Sequence, residues 1–217
     1  MSTSAIHQAV LRAIGAAFPG HATGDHLDVG SGTGELLRLV RAHYPFRSFA
    51  CDYTDKLAEV AGLEIDIVDL NRQMLPYGTN RFTLVTCIET IEHLENYRQV
   101  VREIYRVLQP GGVAVFSTPN ILNLRSRLRY LSSGFYNLFG PLAPDDPNIH
   151  STRYQRRSLL IFPLIIGPVR VANWIVYRRD KNTYGTLDEK NASAVRAMNS
   201  PNLLLGRTLI VTAVKPP

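Results

Sequence analysis

The sequence predicts an α/β protein with a doubly wound, mostly parallel sheet. Between residues 25 and 120, segments with the composition of buried strands alternate with helical segments five times. This alternation is typical of parallel strands joined by helical crossovers. A glycine-rich turn, LDVGSGTGELL, follows the first strand and opens a helix, and acidic residues follow later strands. Both features are predicted to lie at the carboxyl edge, where such sheets bind ligands.

The elements are predicted in a regular order along the chain. Ile6, Val10 and Ile14 are spaced four apart, which indicates a helix over residues 4–17. The core strands are predicted within 24–32, 46–54, 63–70, 81–89 and 113–120, with helices at 34–44, 55–60 and 97–112. Two final strands are predicted at 169–180 and 206–215. The segment from 121 to 131 forms another helix, because its apolar residues share one face.

Composition and charge limit the class of protein. The chain has a net charge of +6, which favours anionic partners such as RNA, phosphorylated substrates or an anionic membrane surface. The apolar run Ser158–Val169 contains prolines and is shorter than a spanning helix, so we expect no transmembrane anchor. The first residues lack the pattern of a signal peptide. Cys51 and Cys87 lie in apolar segments and are expected to be reduced, which predicts a cytoplasmic protein.

The glycine turn and its neighbouring acids indicate the kind of ligand. Glycines let the backbone approach a ligand closely, but the spacing G-x-G-x-G differs from the dinucleotide fingerprint, and no phosphate-binding lysine follows. Asp28 places a carboxylate beside the turn, which favours a cation. Asp52 follows the second strand, where a carboxylate commonly binds ribose hydroxyls. Asp69 follows the third strand and is placed to accept from an exocyclic amine. These features predict a site for S-adenosylmethionine.

The segment from 25 to 120 resembles the class I S-adenosylmethionine-dependent methyltransferases. The resemblance rests on LDVGSGTGELL, on the two later acids, and on VVREIYRVLQPGGVAVFSTPN. It implies a seven-stranded Rossmann-like sheet with an antiparallel last strand at 206–215, and a helical insertion after strand five. The cofactor-binding residues are then predicted to be Asp28, Gly30, Gly32, Gly34, Asp52, Tyr53, Asp69, Leu70 and Cys87.

One methyltransferase domain is predicted to span residues 1–217. Its four parts are an N-terminal helix at 1–24, the cofactor-binding core at 25–120, an insertion or lid at 121–150, and substrate-side elements at 151–217.

The stretch CIETIEHLENY has three ionisable residues at the spacing E-x-x-E-H, namely Glu89, Glu92 and His93. In a helical turn these side chains share one face, where a divalent cation relieves their repulsion. The spacing resembles that of the ubiquinone-biosynthesis O-methyltransferases and the small-RNA 2′-O-methyltransferases, which implies a metal such as Mg²⁺, with His150 as a further ligand. The alternative is a metal-free enzyme in which His93 acts as the base, assisted by Glu89. Both remain open.

The acceptor is predicted only as a class. We expect O-methylation of a small-molecule or lipid-linked acceptor, with peripheral membrane contact through the basic, amphipathic segment 121–142. RNA is disfavoured, because RRSLL lacks the aromatic signature of the RNA enzymes. The other hypothesis is a non-catalytic S-adenosylmethionine-binding protein that docks on membrane or RNA. Four further histidines have no partner in the sequence and are expected to have no chemical role: His7, His21, His26 and His43.

Overall fold

The computed structural model describes residues 4–19, 23–56, 59–60, 64–133, 206 and 208–217. The chain divides into two compact units, Met1–Thr118 with Thr208–Pro217, and Pro119–Arg207. In chain order the elements are α1 (Ser4–Ala17), β1 (Gly24–Val29), α2 (Glu35–His43), β2 (Phe46–Asp52), β3 (Ile65–Ile67), β4 (Phe82–Ile88), a 3₁₀ turn (Ile91–His93), α3 (Tyr97–Val107), β5 (Leu108–Pro119), α4 (Leu124–Ser133) and β6 (Thr208–Val214).

The described strands form one six-stranded sheet in the order β3-β2-β1-β4-β5-β6. The pairs β1–β2, β2–β3, β1–β4 and β4–β5 are parallel. Gly111, near the start of β5, donates its N–H to the carbonyl of Lys215, just beyond the end of β6, so the last strand runs antiparallel. The prediction of a doubly wound, mostly parallel sheet is therefore confirmed. The predicted strand at 169–180 lies outside the described residues, and the seven-strand count stays a prediction.

The strand order reverses between β1 and β4, and in sheets of this kind ligands bind at such a reversal. The crossover through α2 leads to one side of β1, and the later strands are added on the other side. The turns that follow β1 and β4 therefore diverge and leave a crevice at the carboxyl ends of these two strands.

Apolar side chains cover both faces of the sheet. On one face, Leu27 and Val29 of β1 pack in a cluster with Val100, Ile104 and Val107 of α3. On the other face, α1 and α2 pack against β2, β4 and β5. Side chains alternate along a strand, so His26 and Asp28 face α1 and α2. This second face is the one that carries polar side chains into the sheet interior.

Two local predictions differ from the structure. Of the short helix predicted at 55–60, the described residues 55, 56, 59 and 60 adopt bends, a turn and irregular backbone. The strand predicted at 113–120 begins earlier, at Leu108, because the antiparallel pairing of Gly111 and Gly112 with Lys215 extends it. Within the described residues, every helix is too short or too polar to cross a bilayer.

Helix α3 provides a test of the packing. Ile104 is 1% exposed and Val101 is 40% exposed on the same helix. Ile104→Ala should lower the free energy of unfolding by about 2–5 kcal/mol, because it leaves a cavity in the core. Val101→Ala should change it by about 0.5 kcal/mol or less. Urea unfolding of both variants measures this difference, and equal losses would contradict the packing of α3.

Candidate functional site

The glycine turn after β1 adopts a backbone conformation that favours glycine at three positions. Gly30, Gly32 and Gly34 have φ values of +74°, +52° and +79°, in the left-handed region that favours glycine. A Cβ on Gly30 would collide with the Thr90 side chain, whereas one on Gly32 would meet no atom of the described residues within 4 Å. Gly34 is the N-cap of α2. The turn therefore packs on one side and is open at Gly32.

A cavity of about 470 Å³ lies at the carboxyl ends of β1 and β4. Asp28, Gly30, Gly32 and Glu89 line it, which brings together residues from two of the predicted sets. Ser4 and His7 of α1 also line the cavity. Its volume is within the range of small-molecule sites in proteins. Of the carboxylates predicted as site residues, Asp28 lies near the end of β1 and Glu89 directly follows β4, and these two strands are parallel neighbours.

Asp28 is a buried carboxyl group. Its side chain is 3% exposed, and Thr86 donates a hydrogen bond to its Oδ1 at 2.7 Å. Burial raises the pKa of Asp28 to about 7; the Thr86 hydrogen bond opposes this rise and the charge of Asp52 adds to it. The protein thus holds a carboxyl group whose ionisation becomes favourable when a cation enters the cavity.

Asp52 connects β2 to the glycine turn. Its Oδ2 accepts the N–H of Gly32 at 2.8 Å, and its Oδ1 accepts the N–H of Tyr53 at 2.7 Å. The carbonyl of Cys51 accepts the N–H of Gly30 at 2.8 Å. The end of β2 therefore fixes the open part of the turn. Tyr53 itself is 71% exposed.

Asp69 organises the turn after β3. Its Oδ1 accepts the N–H of Asn71 at 3.0 Å, and its Oδ2 lies 3.6 Å from Arg72. The amide oxygen of Asn71 in turn accepts the N–H groups of Glu95 at 2.9 Å and Asn96 at 3.2 Å. Asn71 therefore joins the turn after β3 to the segment that begins α3. Leu70 and Cys87, also predicted at the cofactor site, are buried in the cluster against α3.

Glu89 occupies a strained position at the end of β4. Its φ is +52°, which is uncommon for a residue with a side chain and costs about 1–3 kcal/mol. Ser117 holds this conformation from β5: its carbonyl and its hydroxyl oxygen both accept the Glu89 N–H at 3.1 Å, and the hydroxyl donates to Oε1 at 2.9 Å. Because Glu89 precedes the 3₁₀ turn, it does not share a regular helical face with Glu92 and His93.

Glu92 is a second carboxyl group with a raised pKa. Burial and the charge of Glu89 raise it to about 7. The Thr118 hydroxyl lies close enough to lower this pKa slightly, but within the described residues both buried oxygens lack a well-formed hydrogen bond. A bound cation or a hydrogen-bond donor would stabilise the two carboxyl oxygens of Glu92.

Glu89, Glu92 and His93 do not by themselves support the metal hypothesis. No group of three or more His, Cys, Asp or Glu side chains placed to hold a metal occurs in the part of the chain that the structure describes. His150, the predicted fourth ligand, lies outside that part.

Several residues of the site carry no sequence signal. His7 faces the cavity from α1, where burial lowers its pKa and the charge of Glu35 opposes this effect. Thr86 and Ser117 orient the two carboxylates, yet both lie within strands of ordinary composition. Only the strand register, which the sequence does not specify, brings them to their partners.

A family model described as a methyltransferase domain matches residues 4–160 of the chain. The match covers most of the chain and includes α1, the glycine turn, Asp28 and Glu89. The chain therefore belongs to the methyltransferase-domain family, and its sheet has the class I fold of the S-adenosylmethionine-dependent methyltransferases.

Two curated relatives match the core of the chain. The ubiquinone/menaquinone biosynthesis C-methyltransferase UbiE of Desulfotalea psychrophila is 31% identical over 111 residues, which is 46% of this chain and 44% of the relative. A ubiquinone biosynthesis O-methyltransferase of Coxiella burnetii is 30% identical over 101 residues, 43% of each chain. The chain thus spans less than half the length of these relatives.

Two solved structures share the fold over nearly the whole chain. An S-adenosylmethionine-dependent methyltransferase of Mesorhizobium loti has a TM-score of 0.51 at 16% identity, covering 95% of this chain and 98% of that one. Phosphoethanolamine N-methyltransferase 2 of Haemonchus contortus, in complex with S-adenosylmethionine, has a TM-score of 0.51 at 14% identity, covering 97% of this chain and 53% of that one.

The raised pKa of Asp28 predicts an effect on stability. The folded protein retains this proton more tightly than the unfolded chain, so stability falls as pH rises from 3.8 towards about 7. Asp28→Asn removes this loss and keeps an acceptor for Thr86. Its stability relative to wild type should therefore rise by about 2–3 kcal/mol between about pH 5 and about pH 8.5.

Urea unfolding of both proteins at the two pH values measures this change. Glu35→Gln is the control, because an exposed carboxylate whose pKa Arg38 lowers is already ionised across that range. The same pH dependence in wild type and Asp28→Asn would contradict the burial of an ionisable Asp28.

Proposed function

We propose that the chain is an S-adenosylmethionine-dependent methyltransferase that methylates an oxygen nucleophile on a small-molecule or lipid-linked acceptor. One observation supports this most directly: the open glycine turn and two carboxylates, Asp28 and Glu89, line one cavity of about 470 Å³ at the strand-order reversal. Membership in the methyltransferase-domain family gives that cavity its chemical context.

The cavity suits a cationic cofactor. S-adenosylmethionine carries a sulfonium and an ammonium group, and a buried carboxylate is stabilised by positive charge. Asp28 would hold this end of the cofactor, while the backbone at Gly30 and Gly32 admits it closely. Asp52, whose Oδ2 accepts the Gly32 N–H, would bind the ribose hydroxyls, and Asp69 would accept from the exocyclic amine. The Haemonchus protein, which shares the fold, is itself in complex with S-adenosylmethionine.

The predicted contacts of the remaining cofactor residues are secondary. Tyr53, exposed beyond β2, offers a ring surface to the cofactor, and Gly34 begins the helix behind the turn. Leu70 and Cys87 lie within the buried cluster against α3, and as cofactor residues they would contribute through packing.

The acceptor is proposed from chemistry and kinship. The Coxiella relative is named for O-methylation and the Desulfotalea relative for C-methylation in quinone biosynthesis. O-methylation is favoured here, because Glu89 and Glu92 next to His93 are groups that remove a proton from a hydroxyl. Methyl transfer is an in-line displacement that requires such a deprotonated, aligned nucleophile. Contact of the segment 121–142 with a membrane surface would supply a lipid-linked acceptor.

Deprotonation has two proposed routes. In the first, His93 accepts the acceptor's proton and Glu89 orients the acceptor. In the second, Glu89, Glu92, His93 and His150 would hold a divalent metal, which would supply the positive charge that lowers the pKa of a hydroxyl. The buried, incompletely bonded carboxyl of Glu92 fits the second route, because it gains a counter-charge.

The open face of Gly32 gives a test of cofactor binding. Gly32→Leu places a side chain in the cavity and should weaken S-adenosylmethionine binding about tenfold or more. Gly111→Leu is a matched control: Gly111 has φ +75°, and a Cβ there likewise meets no described atom within 4 Å. Both substitutions introduce the same backbone strain, but only the first is at the cavity. Titration calorimetry measures the affinities, and equal effects of the two variants would contradict the cofactor site.

Turnover distinguishes the two deprotonation routes. With methyl-labelled S-adenosylmethionine and a lipid extract of cells, the wild type should transfer label. If His93 is the base, His93→Gln should lower the rate by about 10²-fold or more and a chelator should have no effect. If a metal is bound, the chelator and His150→Ala should both abolish transfer. His43→Gln, at an exposed histidine that bonds the Leu39 carbonyl, is the control. No transfer with lipid, soluble or RNA extracts would contradict the proposed activity.

A further inference from the structure

Four polar side chains, of which His26, Thr86 and Asp28 are buried and Ser48 is half-buried, form a continuous hydrogen-bonded chain through the sheet. Ser48 Oγ lies 3.4 Å from His26 Nδ1, and His26 Nε2 lies 2.8 Å from Thr86 Oγ1. Thr86 Oγ1 lies 2.7 Å from Asp28 Oδ1. This hydrogen-bonded chain of side chains therefore begins on β2, passes through residues of β1 and β4, and ends at the Asp28 carboxyl group, which lines the cavity.

Strand register creates this chain. His26 lies opposite Ser48 in the β1–β2 pair, and Asp28 lies opposite Thr86 in the β1–β4 pair. The two β1 residues are two positions apart, so their side chains emerge on the same face. His26 and Thr86 are both 0% exposed. Burying a polar group destabilises the fold unless the group forms a hydrogen bond. Here each side chain bonds the next one in the series.

His26 is a neutral link with two possible proton positions. Burial, assisted by the charge of Arg41, lowers its pKa to about 3, so the ring carries one proton near neutral pH. A neutral imidazole donates from one nitrogen and accepts at the other. The two tautomers therefore orient the whole chain in opposite directions.

Each orientation matches one charge state of Asp28. When Asp28 is ionised, Thr86 donates to it, His26 donates from Nε2 to Thr86, and Ser48 donates to Nδ1. When Asp28 is protonated, it donates to Thr86, Thr86 donates to Nε2, and His26 donates from Nδ1 to Ser48. The two states differ by one proton, which leaves the chain on ionisation, and no bond between heavy atoms changes.

We propose that His26 is a positioning residue whose tautomer is coupled to the charge of Asp28, so that cofactor binding switches the ring to the Nε2–H form. The Nε2–H form directs the Thr86 proton to the carboxylate, which then keeps its orientation towards the cationic cofactor. This rests on the proposed function for its ligand, but the coupling itself is a property of the protein alone.

The far end of the chain gives the proton a route. A cofactor in the cavity covers Asp28 and blocks direct exchange with water. Ser48 lines a second cavity of about 460 Å³ beside β2 and β3, which Arg41 and Tyr77 also line. Shifting each proton one place along the chain ionises Asp28 and releases one proton at Ser48.

Other charged groups face the two ends of the chain. Asp52 acts on Asp28 and Arg41 acts on His26. The buried thiols of Cys51 and Cys87 stay protonated, because burial raises their pKa values. Further ionisable residues share the cofactor cavity with Asp28, namely His7, Glu35 and Glu89. In the part of the chain that the structure describes, His26 is linked to Asp28 through Thr86 by hydrogen bonds of 2.8 and 2.7 Å, so its ring reports on Asp28.

Nitrogen NMR of histidine-labelled protein tests the coupling, because protonated and unprotonated ring nitrogens resonate far apart. From about pH 5 to about pH 9, the His26 signals of the ligand-free protein should shift from Nδ1–H to Nε2–H, with no charged form. S-adenosylmethionine added at the acidic end should produce the Nε2–H form. Thr86→Val and Asp28→Asn should each make the tautomer independent of pH, and Thr86→Val should weaken cofactor binding about tenfold.

The outcomes separate this inference from the proposed function. One unchanged tautomer in the ligand-free wild type across the pH range would overturn the coupling, as would a switch that persists in Asp28→Asn. A pH-dependent switch in a protein that binds no S-adenosylmethionine would support the coupling and contradict the proposed function. The wild-type titration decides the question even if a variant fails to fold.

Discussion

Desolvation of the Asp28 carboxyl group is the constraint on which the site depends. Placing this group in the sheet interior raises the free energy of its charged form, and the neighbouring strands offset that rise only in part, through Thr86. A cation that enters the cavity would lower the free energy of the charged carboxylate and so offset the rest of the desolvation penalty. A fully solvated carboxylate would attract the same cation more weakly, because water already stabilises its charge.

Contacts from a neighbouring strand also hold Glu89, which lies on the side proposed for the acceptor. Glu89 keeps an unfavourable backbone conformation because Ser117 engages both its N–H and its carboxylate. Thr90 then packs directly on Gly30, leaving no room for a Cβ there. The turn proposed to hold the methyl donor and the turn that carries the proposed base are therefore in van der Waals contact, and each limits the position of the other.

Sequence reasoning predicted the parts that depend on local pattern. The strand–helix alternation, the glycine turn between β1 and α2 and the carboxylates at strand ends follow from residue type and spacing. It did not predict what depends on register between distant strands. His26 was expected to have no chemical role, but it bonds Thr86 across sixty positions of sequence. Glu89 was expected on one helical face with Glu92 and His93, but its backbone is left-handed and it precedes the 3₁₀ turn that contains the other two. His150 lies outside the described residues, so its role stays a prediction.

Asn71 has a consequence for inhibition of such a protein. Its backbone N–H is held by Asp69, the residue proposed for the adenine side, and its amide oxygen accepts the N–H groups of Glu95 and Asn96, close in sequence to the proposed base His93. One side chain thus links the turn after β3 to the segment that begins α3. A compound that displaces the turn after β3 would also move this segment. If the acceptor binds at His93, as proposed, the inhibition would be mixed with respect to the acceptor, although the compound itself competes with the methyl donor.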